Sequence, residues 1–187
     1  MRKKTNTYHH GSLKESILHN ASELVAQNGA LDFSIRDISN KCEVSPAAIY
    51  KHFKSRNEIA VHMALDGAKI LCEEFEKIAK SKGATLMNFA KAYIAFAKKH
   101  EGYFRAMYFK QIAAMEEYKE FETITEQLNK YLYESLKGSS NINELEHTIK
   151  RMLSCAHGIS FLIIDQCFKL SDKEIDKILK DNLKDIK

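Results

Sequence analysis

The 187-residue chain has little of the two residues that most often mark turns, with one proline and seven glycines. A sandwich or barrel of many short strands needs frequent turns, so this scarcity argues against an all-β fold. Hydrophobic residues make up 44% of the chain and charged residues 29%, a composition typical of a globular protein that buries a core. The sequence therefore predicts an all-α fold of one or two domains built from long helices.

The marks of membrane and secreted proteins are also missing. No stretch reaches the ~20 consecutive apolar residues that a membrane-spanning helix needs, and the most apolar segment, 152–164, is interrupted by serine, histidine and glycine. The basic N-terminus has no apolar region that would make it a secretory signal. The four cysteines form no Cys-x-x-Cys pair, as expected of reduced thiols. We expect a cytoplasmic protein that binds no membrane, metal or other cofactor.

Sequence motifs of common enzymes are absent as well. The chain has no glycine-rich phosphate loop, no dinucleotide-binding fingerprint and no nucleophile elbow. A di-iron helical bundle needs two Glu-x-x-His pairs, and only Glu144 to His147 has that spacing. We therefore expect no catalytic residues, and a helical-bundle metalloenzyme is the disfavoured alternative.

The first sixty residues carry start signals for four helices. The N-cap candidates are Ser12, Ser34, Ser45 and Ser55. Glu15 follows the first of these serines at the spacing of a capping box, and Pro46 occupies the first position of the third helix, where no N–H is needed. The second and third helices are short and separated only by residues 42–44. This pattern predicts a helix-turn-helix.

The third helix has one apolar side, because Ile49 and Phe53 are four residues apart. The side that remains is suited to a DNA groove, since small residues allow close approach and polar ones reach bases or phosphates. Its residues are Pro46, Ala47, Ala48, Tyr50, Lys51 and His52, preceded by Ser45 and followed by Lys54 and Arg56. Residues 1–60 hold 9 Lys and Arg against 6 Asp and Glu. Residue types and charge alone favour a plain solvated surface over contact with DNA.

Residues 34–59 resemble the DNA-binding motif of TetR/AcrR-type bacterial transcriptional regulators. The similarity is carried by residues 44–56, VSPAAIYKHFKSR, and extends over about 8–65. The resemblance implies a DNA-binding domain at 1–58, with an N-terminal arm at 1–11, and a helical ligand-binding and dimerisation domain at 59–187. It adds Ser34 and Arg36 to the residues expected to contact DNA. It further implies a homodimer on a palindromic double-stranded operator, usually a repressor released by a small-molecule effector.

Two further matches suggest a subgroup of this family. The segment YHHGSL at 8–13 is similar to a YHHG lead-in, and His157-Gly158 resembles the His-Gly signature of one type of C-terminal ligand domain. The tryptophan that usually precedes that signature is absent, and Leu153 stands near its place. The chain also has Glu43 where the family's turn often has glycine. A left-handed backbone at Glu43 would cost roughly 1–2 kcal/mol.

Aromatic residues concentrate in the middle of the chain, where eleven of the 18 fall between Phe89 and Tyr133. Helices are expected at about 85–100, 102–114, 116–137, 143–168 and 172–186. An aromatic-rich bundle can enclose an apolar ligand cavity. Its candidate wall residues are Tyr93, Phe96, Phe104, Met107, Tyr108, Cys155, His157 and Phe161. For each of them plain core packing is the alternative interpretation.

The helix expected at 143–168 carries two apolar stripes. One runs from Leu145 to Ile163 in steps of four and three residues, and the other includes Leu153 and His157. One chain can cover one stripe and a second subunit the other. By resemblance, the last two helices, about 143–168 and 172–186, form the dimer contact. A C-terminal domain that binds a protein partner instead of a small molecule remains an alternative.

Overall fold

The computed structural model describes residues 12–109, 118–135, 142–182 and 184. All regular structure in these ranges is helical, which confirms the all-α fold. The helices are α1 (Leu13–Asn28), α2 (Ile35–Lys41), α3 (Pro46–Tyr50), α4 (Arg56–Lys80), α5 (Leu86–Lys99), α6 (Glu101–Met107), α7 (Tyr118–Ser135), α8 (Ile142–Ile164) and α9 (Asp172–Asn182). Among these helices, none combines the length and apolar character that crossing a bilayer requires.

The N-terminal helices begin where the serines predict. Ser12 and Glu15 form a complete capping box at α1, and Ser34 and Asp37 form another at α2. The side chains of Ser45 and Ser55 cap α3 and α4 in the same way, by accepting a backbone N–H. These caps supply partners for amides that a helix end leaves without one.

Two C-terminal helices are shorter than the sequence suggested. We expected a helix over 102–114, but α6 ends at Met107, and residues 110–117 lie outside the described part of the chain. The helix expected to reach 168 ends at Ile164. Gln166 adopts a left-handed backbone there, with φ of 56°, so the helix stops without the glycine that usually marks such an end.

Helix α4 is the central element of the fold. It packs against α1, α5, α6 and α7, and its buried residues run from Ile59 to Phe75. Near its start the His62 ring contacts Phe53, with ring centroids 5.3 Å apart. Near its end Phe75 packs edge-on against Phe89 of α5 at 4.9 Å. One rigid helix therefore connects the helix-turn-helix to the interior of the bundle.

A second connection runs through the short helix α6, which packs against α1. At their contact Gly102 is buried, and a Cβ placed on it would stand 2.6 Å from the carbonyl carbon of Ser22. No side chain fits in that space, so the two backbones approach closely because residue 102 is glycine.

Helix α8 is covered by its own chain on both of its apolar stripes. Ile149, Met152 and Ala156 are buried on the helix that packs against α5. His157, on the other stripe, is half-buried against aromatic rings of α5 and α6. The expectation that one chain leaves a whole stripe for a partner therefore needs correction. The exposed side of α8 is a third one, with Leu162 and the open position of Gly158.

Candidate DNA-binding surface and ligand cavity

The turn between α2 and α3 is held by backbone contacts. Glu43 has φ of 54°, the left-handed conformation that the sequence left open. The Val44 N–H donates to the Ser39 carbonyl at 3.0 Å, and the buried Ser39 hydroxyl donates to the Arg36 carbonyl at 2.9 Å. These bonds fix the angle at which α3 leaves the turn.

The inner side of α3 and of the turn that follows it, residues 51–53, is anchored in the core. Ile49 and Phe53 are 0% exposed. The Phe53 ring is contacted by His62 of α4 and lies 5.5 Å from the Lys14 ammonium of α1, measured to the ring centroid. Because both anchors are fully buried, the helix cannot rotate about its axis without exposing apolar surface.

The residues predicted to contact DNA lie at the surface. Ten of them are exposed, namely Ser34, Arg36, Ser45, Pro46, Ala47, Tyr50, Lys51, His52, Lys54 and Arg56, and Ala48 is half-buried. Tyr50 keeps 55% of its surface exposed although it neighbours the fully buried Ile49. The guanidinium of Arg56 stands 3.9 Å from the Asp32 carboxylate. Such exposed pairs contribute little energy, so this arginine can exchange its partner for a phosphate.

Two predictions fall on residues that the structure does not describe. The basic arm at 1–11, including the residues YHHG, lies outside the described ranges. The arm and the YHHG lead-in therefore stay predictions.

An apolar cavity of about 300 Å³ lies among α4, α5, α6, α7 and α8. This size is at the lower end of ligand pockets, which span roughly 300–1,000 Å³. The cavity is lined by Leu71, Phe75, Tyr93, Met107, Tyr108, Phe121, Thr125, Leu128, Asn129, Leu132 and Leu153.

The eight residues predicted for a ligand site separate into three groups. Those that line the cavity are Tyr93, Met107 and Tyr108. Behind them, Phe104, His157 and Phe161 form a cluster of tilted and edge-on rings with centroids 4.8–5.9 Å apart. The remaining two, Phe96 and Cys155, lie away from the lining. Phe96 faces another cleft, between α4 and α5, and Cys155 is half-buried.

Sequence reasoning missed most of the cavity wall. Leu71 and Phe75 of α4, and Phe121, Leu128 and Leu132 of α7, were not among the predicted residues. A signal was present, because the α7 residues Phe121, Leu128 and Leu132 recur at helical spacing on one side. This pattern identifies a buried side, but not whether it faces a cavity or solid core.

A chain of hydrogen bonds crosses the aromatic cluster. The Tyr93 hydroxyl bonds both to the Tyr108 hydroxyl and to Nδ1 of His157, at 2.9 Å. Burial raises the pKa of Tyr93 and lowers the pKa of His157. Both shifts favour the uncharged forms near neutral pH. This chain of hydrogen bonds therefore offers donors and acceptors without carrying a charge.

Helix α6 connects this cluster to its surroundings. Phe104 packs edge-on against Tyr93 at 5.5 Å. The Arg105 side chain, only 9% exposed, binds Glu101 at 2.9 Å and also pairs with Asp165 just beyond α8.

In the part of the chain that the structure describes, no three His, Cys, Asp or Glu side chains are grouped to hold a metal ion.

Family models match both parts of the chain. Residues 17–63 match the model described as "Bacterial regulatory proteins, tetR family". Residues 86–186 match the model described as "Tetracyclin repressor-like, C-terminal domain". The chain is also 24% identical over 174 residues to YobS of Bacillus subtilis, an uncharacterized HTH-type transcriptional regulator, covering 90% of this chain and 87% of YobS.

Solved structures with a similar fold include two bacterial regulators. The TetR family transcriptional regulator PfmR from Thermus thermophilus is similar with a TM-score of 0.69 and 18% identity, covering 91% of this chain and 93% of PfmR. AibR, solved in complex with isovaleryl coenzyme A and operator DNA, has a TM-score of 0.72 and 13% identity, covering 89% of this chain and 96% of AibR. At these identities the similarity establishes the fold alone.

Proposed function

The chain belongs to the TetR family of DNA-binding transcription regulators, and from this premise we propose that it is a repressor that a small-molecule effector releases from its operator. It acts as a homodimer on a palindromic site, with residues 1–58 reading DNA and residues 59–187 binding the effector and the second subunit. Members of this family regulate transcription and are not enzymes.

The observation that carries the DNA-reading role is the two-sided character of α3 and of the turn that follows it. Ile49 and Phe53 are fully buried, whereas Tyr50 and the neighbouring Lys51 and His52 face solvent. A reading helix needs a fixed inner side and a polar outer side that enters the major groove. Ala47 and Ala48 let the backbone approach thymine methyl groups, and Lys54 and Arg56 reach phosphates.

The proposed dimer uses α8 and α9. Leu162 and Ile178 are large apolar residues that remain 37% and 39% exposed. Gly158, one turn before Leu162, faces open space within its own chain. An exposed apolar side with a glycine at its centre suits close packing against a second helix. In such a dimer the two reading helices must lie about 34–36 Å apart, one turn of DNA.

The effector site is the apolar cavity bordered by Tyr93 and Tyr108. AibR shares this fold and was solved with both an acyl thioester and operator DNA, which supports ligand control as a mode available to the fold. In our proposal α4 and α6 transmit the signal, because each contacts both the cavity cluster and the N-terminal helices. A tenfold release of DNA requires only about 1.4 kcal/mol of differential ligand affinity between the two states.

The deciding experiment selects bound duplexes from random DNA with the purified full-length protein. We expect a palindromic consensus, which reports sequence specificity and two-fold symmetry together. A small-molecule screen by thermal shift follows, with each hit tested for loss of affinity for the selected operator. Failure to bind any duplex at low ionic strength would refute the proposal, and hits that never alter DNA affinity would favour a protein partner for the second domain.

A further inference from the structure

The lining of the cavity defines the chemistry of what it can hold. Of the described residues that line it, none carries a charge, and the polar ones are Tyr93, Tyr108, Thr125 and Asn129. An ion that binds against these residues gives up part of its hydration without gaining a counter-charge from them, which is unfavourable. Arg105, which lies on the far side of Phe161, is already paired with two carboxylates.

One end of this chain of hydrogen bonds, the Tyr108 hydroxyl, lies at the cavity, and the other end is Nε2 of His157, which does not line the cavity. In one arrangement Tyr93 donates to His157 and Tyr108 donates to Tyr93. The Tyr108 oxygen can then accept a hydrogen bond from a ligand. In the reverse arrangement His157 donates to Tyr93, which donates to Tyr108, and the Tyr108 hydroxyl is free to donate.

A ligand oxygen that both donates and accepts fits either arrangement. We propose that the cavity selects small, uncharged, largely apolar molecules that carry one hydroxyl group, which bonds to Tyr108 while Tyr93 and His157 orient that tyrosine. This inference rests on the proposed function only in taking the cavity as the effector site. Tyr108 contacts the ligand, whereas Tyr93 and His157 are positioning residues.

The rest of the wall fits the apolar part of such a molecule. Phe75 and Phe121 approach from α4 and α7, and Leu71, Leu132 and Leu153 complete the surface. Aromatic walls also attract organic cations through the faces of their rings. That attraction does not replace the hydration of an ammonium group, because none of the described lining residues is a carboxylate. The inference therefore predicts that the cavity binds hydroxyl compounds in preference to both anions and cations.

The test uses two matched sets of probes and titration calorimetry on the full-length protein without DNA. The aromatic set is toluene, p-cresol, p-toluate and p-methylbenzylammonium. The alkyl set is octanol, octanoate and octylammonium. In each set the shape is shared and only the head group changes. We expect the hydroxyl compound to bind at least tenfold more tightly than the ions of its set.

The variants Tyr108→Phe and Tyr93→Phe remove one hydroxyl each and keep the ring. Both should weaken p-cresol binding about fivefold, the equivalent of about 1 kcal/mol for a neutral hydrogen bond. Toluene, which makes no such bond, should change less than twofold, and a general structural defect would weaken both probes. The matched control Tyr133→Phe deletes a hydroxyl from a half-buried tyrosine that does not line the cavity.

Three outcomes would overturn the inference. The first is that neither hydroxyl compound binds at millimolar concentration. The second is that an ion binds as tightly as the hydroxyl compound of its set, or more tightly. The third is that the variants lose affinity for toluene and p-cresol equally. Operator affinity is measured separately. A protein that binds p-cresol as expected but no DNA would contradict the proposed function and leave this inference standing.

Discussion

Gly102 and Ser22 bring the backbones of α6 and α1 into direct contact, with no room for a side chain between them. The variant Gly102→Ala should therefore separate the two helices. We expect it to lower the free energy of unfolding by about 1–3 kcal/mol, the usual cost of overpacking a core, although alanine is the better helix former. Denaturant unfolding monitored by circular dichroism measures this change.

The control for that prediction is Gly158→Ala. It makes the same exchange inside α8, where a Cβ meets nothing within 4 Å. Because Gly158 also lies on the proposed dimer side of α8, both variants are compared in the monomeric Leu162→Glu background. There Gly158→Ala should change stability by no more than about 1 kcal/mol. If both variants behave alike, the contact between α1 and α6 does not have the importance that the structure assigns to it.

The turn residue Glu43 supports a prediction of the opposite sign. Its φ of 54° is unfavourable for a residue with a Cβ, so Glu43→Gly should stabilise the protein by up to about 1 kcal/mol, after the entropic cost of glycine is subtracted. Thermal unfolding measures the gain. Glu43→Ala removes the carboxylate but keeps the Cβ, and it should show no such gain if the backbone is the cause.

The N-terminal part was predictable because its signals are local. Caps such as Ser34 with Asp37 act within one helical turn, and the inward positions of Ile49 and Phe53 follow from their spacing. The sequence left the backbone conformation of Glu43 open, because the geometry of this turn depends on contacts with Ser39.

The cavity was predictable only in part, because it is assembled from distant segments. Tyr93 and Tyr108 were identified from the aromatic concentration in the sequence. Leu71 and Phe121 were missed, since a helical pattern reports burial but not the partner across the interface. For the same reason the sequence did not identify the side of α8 that is left for a partner. Both apolar stripes pack within one chain.

The lowered pKa of His157 predicts a pH dependence of stability. Burial disfavours the charged ring in the folded state, so the unfolded state takes up a proton more readily as the pH falls. Stability should therefore decrease as the pH drops below the ordinary histidine value of 6.5. His100 is shifted in the same direction, also by burial.

Denaturant unfolding between about pH 7.5 and pH 5.5 tests this dependence. His157→Gln should flatten the slope of stability against pH, and adding His100→Gln should flatten it further. A slope that both variants leave unchanged would place the acid sensitivity in other groups.

The proposed dimer predicts the effect of a charge on α8. Leu162 is already 37% exposed in the single chain, so Leu162→Glu should be tolerated by the fold. In the dimer the carboxylate would be buried next to its symmetry mate, and we expect dissociation into monomers at micromolar concentration. Sedimentation velocity measures this, with Leu162→Met as the conservative control. A variant that stays dimeric would move the interface elsewhere.

The groove-reading side of α3 predicts how DNA binding responds to two single changes. Lys51→Ala and Tyr50→Phe should each weaken operator binding, because both residues are exposed beside the buried Ile49. If Lys51 pairs with a phosphate, its loss should also reduce the slope of log affinity against log salt by about 1. Fluorescence anisotropy at several salt concentrations measures both quantities. Lys82→Ala removes the same charge from an exposed loop after α4, so an equal loss there would mean that net charge, and not the position of α3, governs the binding.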